Sequence, residues 1–308
     1  MSIVEKAIDK LRGARAESAA AATRIVEQGR RPPVPSPARY EPSATPVSIF
    51  AKVPPGAPIT VDPAALRDQH LMAPVEHERR TADEFRRLKW PLLTGALGRG
   101  GERLAAGNLI MVGSALPGDG KTFTSLNLAL AMAGERDCSV LLVDADAAKG
   151  HLSSALGARG RKGLTDLLNG GASAWHEVIL ETTIPGLRFV PCGAHFSATP
   201  ELFASQRMQA LVAELAAAEP DCVVVFDSSP LLATNESQVL TRYVGQVLLV
   251  VRANVTPRNA VLEAVGLVDE AKPTALVLND AQSFLGGGKY YGYYQFDGSG
   301  AKQDGTAG

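Results

Sequence analysis

One stretch of the chain, residues 110–127 (IMVGSALPGDGKTFTSLN), restricts the possible folds more than any other. It reads as a buried strand, a turn-rich loop and the start of a helix. Backbone N–H groups of such a loop and of the helix N-terminus point at an anion, and a lysine adds a mobile positive charge. The pattern G-x-x-x-x-G-K-[ST] is met except at its first position, which is Ala115. We therefore predict a nucleotide-phosphate site formed by Pro117, Gly118, Asp119, Gly120, Lys121, Thr122 and Phe123.

Apolar runs alternate with helical stretches from this segment to about residue 280. The runs cover residues 108–114, 139–146, 187–193, 222–229, 246–253 and 275–280. Helices are expected between them at residues 121–135, 161–170, 200–218, 234–243 and 257–271. Continuous apolar strands are buried on both faces, so this order predicts an α/β domain with a mainly parallel central sheet flanked by helices.

The remaining sequence divides into flanking segments. Residues 1–29 are predicted to form an amphipathic helix, a type of element that serves in docking or oligomerisation. Residues 30–75 are predicted to be a linker, because residues 30–60 hold nine of the twenty prolines and cannot sustain a helix or a central strand. Residues 283–308 are rich in glycine and are predicted to form a flexible tail.

The folded domain is expected to cover residues 76–282 and to open with a charged helix. Thr81 and Glu84 have the spacing of a capping box, which predicts a helix start at Thr81. Pro91 predicts its end. The charged run on this helix is also typical of a helix face that is exposed to solvent.

Composition and charge exclude several classes of protein. A net charge of −1 over 308 residues argues against a protein that coats nucleic acid. Cys138, Cys192 and Cys222 are widely spaced and form no C-x-x-C pair, so we expect reduced thiols in a cytosolic protein. The sequence has no recognisable secretory signal and no apolar run long enough to span a bilayer. Any membrane role is therefore expected to be peripheral or to depend on a partner.

Two of the predicted strands end in acidic residues. LLVDAD places Asp144 and Asp146 at one strand end, and VVVFDSSP places Asp227 at another. Ligands bind at the carboxyl ends of parallel strands, and carboxylates together with the Thr122 hydroxyl are the groups that hold Mg²⁺ against β- and γ-phosphates. Of the two acidic positions on one strand, one can bind metal while the other accepts a proton. The sequence leaves this assignment open; we predict Asp144 as the base and Asp146 as the metal ligand.

The motifs SALPGDGKT, VLLVDAD and VVVFDSSPLLAT resemble the Walker A, A′ and B motifs of the bacterial tyrosine kinases. Members of that family are P-loop enzymes with a MinD/ParA-like architecture, and they autophosphorylate a C-terminal tyrosine cluster. The chain carries such a cluster in KYYGYYQ, formed by Tyr290, Tyr291, Tyr293 and Tyr294. The opening SIVEKAIDKL and the tyrosine-rich ending are most similar to the exosortase-associated branch, whose members are cytoplasmic and belong to exopolysaccharide loci.

This resemblance implies roles for individual residues. Lys121 would contact the β- and γ-phosphates of ATP, and Thr122 would bind Mg²⁺. Asp144, Asp146 and Asp227 would complete the metal and catalytic set. Asn279, at the end of the ALVLN run, is placed where relatives contact the adenine. An E-x-x-R-x-x-R motif, by which the family assembles rings, aligns with Asp83, Arg86 and Lys89, and its two substitutions change reach and hydrogen-bond geometry.

The function expected from the resemblance is that of an ATP-dependent protein-tyrosine autokinase, acting between subunits and regulating exopolysaccharide polymerisation or export. The implied partners are further copies of the chain, a membrane chain-length regulator or polysaccharide co-polymerase, and a phosphotyrosine phosphatase, without nucleic acid. The expected location is the cytoplasm, peripheral to the inner membrane through a partner. Two alternatives stay open: a positioning ATPase of the MinD/ParA type, which would carry a second lysine where this chain has Leu116, and a non-catalytic nucleotide-binding adaptor.

Overall fold

The computed structural model describes residues 57–195, 199–217 and 221–281. The helices are α1 Pro63–Asp68, α2 Glu78–Leu97, α3 Lys121–Ala133, α4 His151–Ala155, α5 Leu164–Asn169, α6 Thr199–Phe203, α7 Gln206–Ala216, α8 Asn235–Tyr243 and α9 Arg258–Gly266. The strands are β1 Leu109–Ser114, β2 Ser139–Asp144, β3 Leu180–Glu181, β4 Leu187–Val190, β5 Cys222–Asp227, β6 Gln246–Arg252 and β7 Thr274–Asn279. The predicted N-terminal helix, the linker up to residue 56 and the tyrosine cluster lie outside the described residues.

The seven strands form one sheet in the order β3-β4-β2-β5-β1-β6-β7. All neighbouring strands pair in parallel except the short edge strand β3, which runs antiparallel to β4. The predicted α/β class with a mainly parallel sheet is therefore confirmed. The three central strands, β5, β1 and β2, are apolar and almost wholly buried because helices cover both faces of the sheet.

Each face of the sheet supports its own hydrophobic core. Ile110 and Val112 of β1 face the layer of α2 and α3, with Leu126 as one of its buried residues. Leu109 and Met111 point to the opposite layer, which contains α5, α7, α8 and α9. This alternation follows from the two-residue period of a strand. It leaves the loops at the carboxyl ends of the strands free to form a site.

Helix α2 differs from its predicted bounds. It begins at Glu78 rather than Thr81 and continues through Pro91 to Leu97, where Gly98 ends it with a φ of +71°. Proline inside a helix removes one backbone hydrogen bond. The turn that follows Pro91 buries Leu92 and Leu93 in the core, and this burial offsets the loss. The prediction of both helix ends was wrong because it relied on local signals alone.

The folded region also begins earlier than residue 76. The Ile59 N–H donates to the Glu181 carbonyl at 2.8 Å, and Ile59 forms a bridge with Thr182 beside β3. In α1, capped by Asp62, the side chain of Leu66 is buried in the core. Residues 57–75, predicted to be the end of the linker, are therefore part of the domain.

The helix predicted at residues 200–218 is divided in two. Helix α6 ends at Phe203, and the Ser205 side chain caps α7 by accepting a hydrogen bond from the Met208 N–H at 3.2 Å. The three cysteines are free thiols. No helix within the described ranges has the length and apolar character needed to cross a membrane.

Candidate nucleotide site

The site lies where β1, β2 and β5 end. Residues 115–120 connect β1 to α3, and Asp144 and Asp227 are the last residues of β2 and β5. The two aspartates are paired positions of adjacent parallel strands, and the Ala145 N–H donates to the Asp227 carbonyl at 2.8 Å. The sheet thus brings together the loop and the acidic strand ends that the sequence placed far apart.

The loop before α3 depends on two glycines. Gly118 and Gly120 have φ values of +86° and +99°, in the region that side chains other than glycine rarely adopt. Gly120 also packs so closely against the Asn279 amide that a Cβ would collide with it. The N-cap residue of α3 is Gly120, which has no side chain to cap the helix, so the N–H groups of the first turn are available to an anion.

Asp119 holds the loop from within. The residue is only 2% exposed. One carboxylate oxygen accepts a hydrogen bond from the Leu116 N–H at 3.0 Å, and the other accepts one from the Thr256 hydroxyl at 2.7 Å. Its carbonyl accepts a third from the Asn279 amide at 2.9 Å. The loop tip at Pro117 and Gly118 is exposed to solvent. The buried Asp119, with its hydrogen bonds, therefore supports a loop that is open to an anion.

Asp227 is buried next to Lys121 and carries an unsatisfied oxygen. Its Oδ1 accepts a hydrogen bond from the Ser125 hydroxyl at 3.0 Å, whereas its Oδ2 has no hydrogen-bond partner within the part of the chain that the structure describes. Burial, and next the charge of Asp144, raise the pKa of Asp227 to about 7, although the charge of Lys121 and the nearby hydroxyls of Thr122 and Ser125 oppose the rise. A further cation would be favourable at this oxygen.

Asp144 is fully buried and its oxygens are well satisfied. The N–H and hydroxyl groups of Ser153 donate to Oδ2 at 2.8 and 2.6 Å, and the Asp146 N–H donates to Oδ1 at 3.2 Å. Burial raises the pKa of Asp144 to about 6, against the effect of the Ser153 hydrogen bonds, and the charge of Asp146 adds to the rise. Its carboxylate is held in one orientation.

Asp146 lies closer to the surface of the site than Asp144. It is 5% exposed, and its Oδ1 accepts hydrogen bonds from the Ser229 hydroxyl at 2.9 Å and from the Lys149 N–H at 3.3 Å. Within the described ranges, no hydrogen bond reaches its Oδ2. Ser229, which follows β5, thus fixes the position of Asp146 through Oδ1, and Oδ2 remains available to a ligand.

The donor set fits Mg²⁺ bound together with phosphates. Among the described residues, no three imidazole, thiol or carboxylate groups form a dedicated metal cage. Magnesium, however, is usually bound by one or two carboxylates together with waters and substrate phosphates. Suitable oxygen ligands are Oδ2 of Asp227, which no hydrogen bond from a described residue reaches, the Asp146 carboxylate and the hydroxyl of the half-buried Thr122 at the start of α3.

The predicted adenine contact, Asn279, lies at the end of β7 and contacts the phosphate loop itself, as described above. Beside it opens a cavity of about 640 Å³ between the segment before α2, the start of α3 and the end of β7. Its wall includes Phe85, Phe123 and Val277 as apolar groups and His77 and Arg67 as polar ones. Half of its eighteen lining residues are polar or charged, so the cavity offers a ligand both apolar contacts and several polar partners.

The three residues predicted to mediate oligomerisation have different environments. Asp83 and Arg86 are exposed on α2 and form an ion pair at 2.6 Å. Lys89 is buried: its Nζ donates to the Ala131 carbonyl at 2.6 Å and pairs with Glu135 at 2.7 Å. Lys89 therefore joins α2 to the end of α3 within one subunit.

Sequence reasoning missed the polar residues that hold the acidic groups. Ser125, Ser153 and Ser229 bond Asp227, Asp144 and Asp146, and Thr256 bonds Asp119. Ser125 could have been found, because it lies one helical turn after Lys121. Ser153 and Thr256 had no signal, since their partners are brought to them only by the fold.

A loop of this geometry at the end of the first strand, with acidic residues ending the adjacent strands, defines a P-loop nucleotide-binding domain. A family model described as an AAA domain matches residues 107–266, more than half of the chain. The chain belongs to this family, and it is similar to bacterial tyrosine kinases in both sequence and structure.

The chain is 34% identical over 196 residues to a putative tyrosine-protein kinase, EpsB, of Ralstonia nicotianae, which covers 61% of this chain and 25% of that protein. It is 30% identical over 195 residues to the tyrosine-protein kinase wzc of Salmonella typhimurium, covering 63% and 27%. The chain therefore spans about a quarter of the length of these relatives. Among solved structures, the VpsO kinase domain superposes with a TM-score of 0.56 at 29% identity, covering 68% of this chain and 100% of that domain. The BceF tyrosine kinase domain superposes with a TM-score of 0.54 at 25% identity, covering 69% of this chain and 85% of that domain.

Proposed function

We propose that the protein is an ATP-dependent tyrosine autokinase that phosphorylates its own cluster at Tyr290, Tyr291, Tyr293 and Tyr294. The observation that carries the proposal is the buried Asp227 beside Lys121, with one carboxylate oxygen that has no hydrogen-bond partner among the described residues. Such an arrangement is costly unless a ligand compensates it. Relatives with the same domain are named tyrosine kinases, which favours phosphoryl transfer to tyrosine.

The proposed roles of the residues follow from their positions. The loop N–H groups and Lys121 bind the phosphates, and Thr122, Asp146 and Asp227 hold Mg²⁺. The metal, when bound, supplies positive charge against the phosphate oxygens. Asp144 is the proposed base. A carboxylate with a pKa raised to about 6 accepts a proton more readily than an ordinary aspartate, and Ser153 fixes its orientation.

The cavity beside Asn279 is the proposed site of the adenosine moiety. Phe123 lies directly after the loop's Lys121 and Thr122 and also lines the cavity, so a nucleotide bound at the loop could extend into it. The apolar wall would receive the adenine ring, and Asn279 would contact it with the polar capacity that remains beyond its bond to Asp119.

We further propose that transfer occurs between subunits of a homo-oligomer that is closed into a ring through the exposed pair of Asp83 and Arg86. Recruitment to the inner membrane would require a chain-length regulator or polysaccharide co-polymerase, and a phosphotyrosine phosphatase would reverse the modification. Exopolysaccharide polymerisation or export, in the manner of the exosortase-associated branch, is the proposed process. Residues 1–29 are the proposed docking element, which a deletion of that segment with a membrane-recruitment assay would test.

Phosphate transfer to the tail is tested by incubating the purified protein with ATP and Mg²⁺ and mapping phosphotyrosine by mass spectrometry. We expect phosphate on the tyrosine cluster and none in Lys121→Met. Lys162→Met, which removes an exposed lysine outside the site, is the matched control and should retain activity. Hydrolysis of ATP without a modified tail would favour a positioning ATPase, and binding without either product would favour an adaptor.

Transfer between subunits is tested by mixing a catalytically inactive form of the protein with an active form that lacks the acceptor tyrosines. Lys121→Met protein keeps its tyrosines but lacks the phosphate-binding lysine, whereas protein with all four tail tyrosines changed to phenylalanine keeps the site. Phosphate on the Lys121→Met chains in the mixture would require transfer between molecules. Its absence, with an active unmixed wild type, would indicate transfer within one chain.

A further inference from the structure

Thr256 connects the phosphate loop to the far strands of the sheet. It lies in the turn after β6, where its N–H donates to the Arg252 carbonyl at 3.0 Å. Its hydroxyl accepts a hydrogen bond from the Arg252 N–H at 2.9 Å and donates to the Asp119 carboxylate at 2.7 Å. A single hydroxyl therefore satisfies one buried acceptor in the loop and one backbone donor at the strand end.

A second set of bonds links the same loop to the end of β7. The Arg252 side chain pairs with Asp280 at 3.1 Å, and the Ala253 N–H donates to the Asn279 carbonyl at 2.8 Å, so the ends of β6 and β7 are held together. The Asn279 amide then donates to the Asp119 carbonyl. Asp119 is thus bonded through its side chain to the β6 turn and through its backbone to the end of β7.

We propose that Thr256 is a positioning residue for the nucleotide phosphates, acting through Asp119. The inference rests on the proposed nucleotide site and concerns how that site is built. The loop tip is exposed, so its shape in the absence of a ligand depends on the bonds of Asp119. Loss of the hydroxyl leaves a buried carboxylate oxygen without its donor, and the loop must shift to hydrate it.

This role differs from direct contact with the nucleotide. A preformed loop loses less conformational entropy when phosphate binds, so its affinity is higher. Weakening the support should therefore reduce affinity for nucleotide and loosen the free loop, while the fold and the Lys121 side chain stay intact. The hydroxyl is the essential group, and serine should replace threonine.

The experiment compares wild type, Thr256→Val, Thr256→Ser and Val255→Ala. Valine keeps the shape of threonine and removes the hydroxyl. Val255 is an exposed neighbour in the same turn, and its apolar side chain takes no part in the hydrogen bonds to Asp119. Affinity is measured by titration with a fluorescent ADP analogue. Amide hydrogen exchange of residues 116–120 is measured without nucleotide, and thermal unfolding checks the fold.

We expect Thr256→Val to bind the analogue about tenfold more weakly and to exchange its loop amides faster. Thr256→Ser and Val255→Ala should stay close to wild type in both measurements. Unchanged affinity and exchange in a folded Thr256→Val protein would overturn the inference, as would equal losses in the serine variant. Both readouts are independent of phosphoryl transfer: if wild type binds nucleotide but never modifies its tail, the kinase proposal fails and this one is still decided by the titration.

Discussion

Asp144 and Asp227 occupy paired positions at the ends of adjacent parallel strands, and both carboxyl groups are buried. The charge of Asp144 contributes to the raised pKa of Asp227, second only to burial. Two acidic groups so placed are unfavourable for the stability of the free protein, and a function that brings positive charge to them explains their presence. The pair therefore links stability to ligand binding.

Replacing Asp227 by asparagine should stabilise the nucleotide-free protein near neutral pH. A pKa raised from 3.8 to about 7 means that the folded state binds the proton more tightly than the unfolded chain. The stability from this group is present below about pH 4 and is lost as the pH rises to about 7. We expect Asp227→Asn to raise the free energy of unfolding by on the order of 1–3 kcal/mol at pH 8 and to change it little at pH 4, as measured by denaturant unfolding.

Asp83→Asn is the matched control for this prediction, because Asp83 is exposed on α2. It should change the free energy of unfolding by less than about 1 kcal/mol at either pH. In the kinase assay, the Asp227 variant should lose most of its activity despite its higher stability. A less stable Asp227→Asn protein at pH 8 would contradict the interpretation.

Alanine at the two loop glycines should have unequal effects. At Gly118, which has open space around it, alanine meets only backbone strain of about 1–2 kcal/mol, so we expect nucleotide affinity to fall about tenfold. At Gly120 the strain is joined by collision with the Asn279 amide, and binding should be lost by more than about a hundredfold. Calorimetric titration with ADP measures both, and equal losses would argue against the close contact of Gly120.

The core of the fold was predictable because its signals are local. Five of the six apolar runs contain an observed strand, the sixth overlaps β7, which begins one residue earlier at Thr274, and GKT fixes the start of α3. What failed depended on distant contacts. Helix α2 continues past Pro91 because Leu92 and Leu93 bury themselves against the sheet, and the segment around Ile59 joins the domain by bonding beside β3.

The site follows the same division. The sequence placed Asp144 and Asp227 at strand ends, and parallel pairing was enough to bring them together. It could not indicate that Thr256 would support Asp119, since 137 positions separate the two residues. It also could not distinguish Lys89, which is buried, from Arg86, which is exposed one turn earlier on the same helix.

Lys89 and Arg86 should therefore respond differently to methionine substitution. Lys89→Met removes the bonds to the Ala131 carbonyl and Glu135 and should reduce the free energy of unfolding by about 1–3 kcal/mol without changing the oligomer. Arg86→Met should leave stability within about 0.5 kcal/mol and, if the exposed pair assembles subunits, reduce the oligomer size. Denaturant unfolding and light scattering provide the two measurements. A smaller oligomer in a stable Lys89→Met protein would assign Lys89 to the interface instead.

Ser153 should set the pH dependence of the reaction. Its N–H and hydroxyl donate to Oδ2 of Asp144, and these bonds lower the pKa of that carboxyl against the larger effect of burial. Ser153→Ala removes the hydroxyl bond, so the pKa of Asp144 should rise above its value of about 6. The acidic limb of the pH–rate profile should then move to higher pH, because more base is required to keep Asp144 ionised. The exposed neighbour Ser154 offers the matched control: Ser154→Ala should keep the wild-type profile. If Ser153→Ala lowers the rate equally at every pH, Asp144 does not titrate in the rate-limiting step, and the proton acceptor must be sought at Asp146.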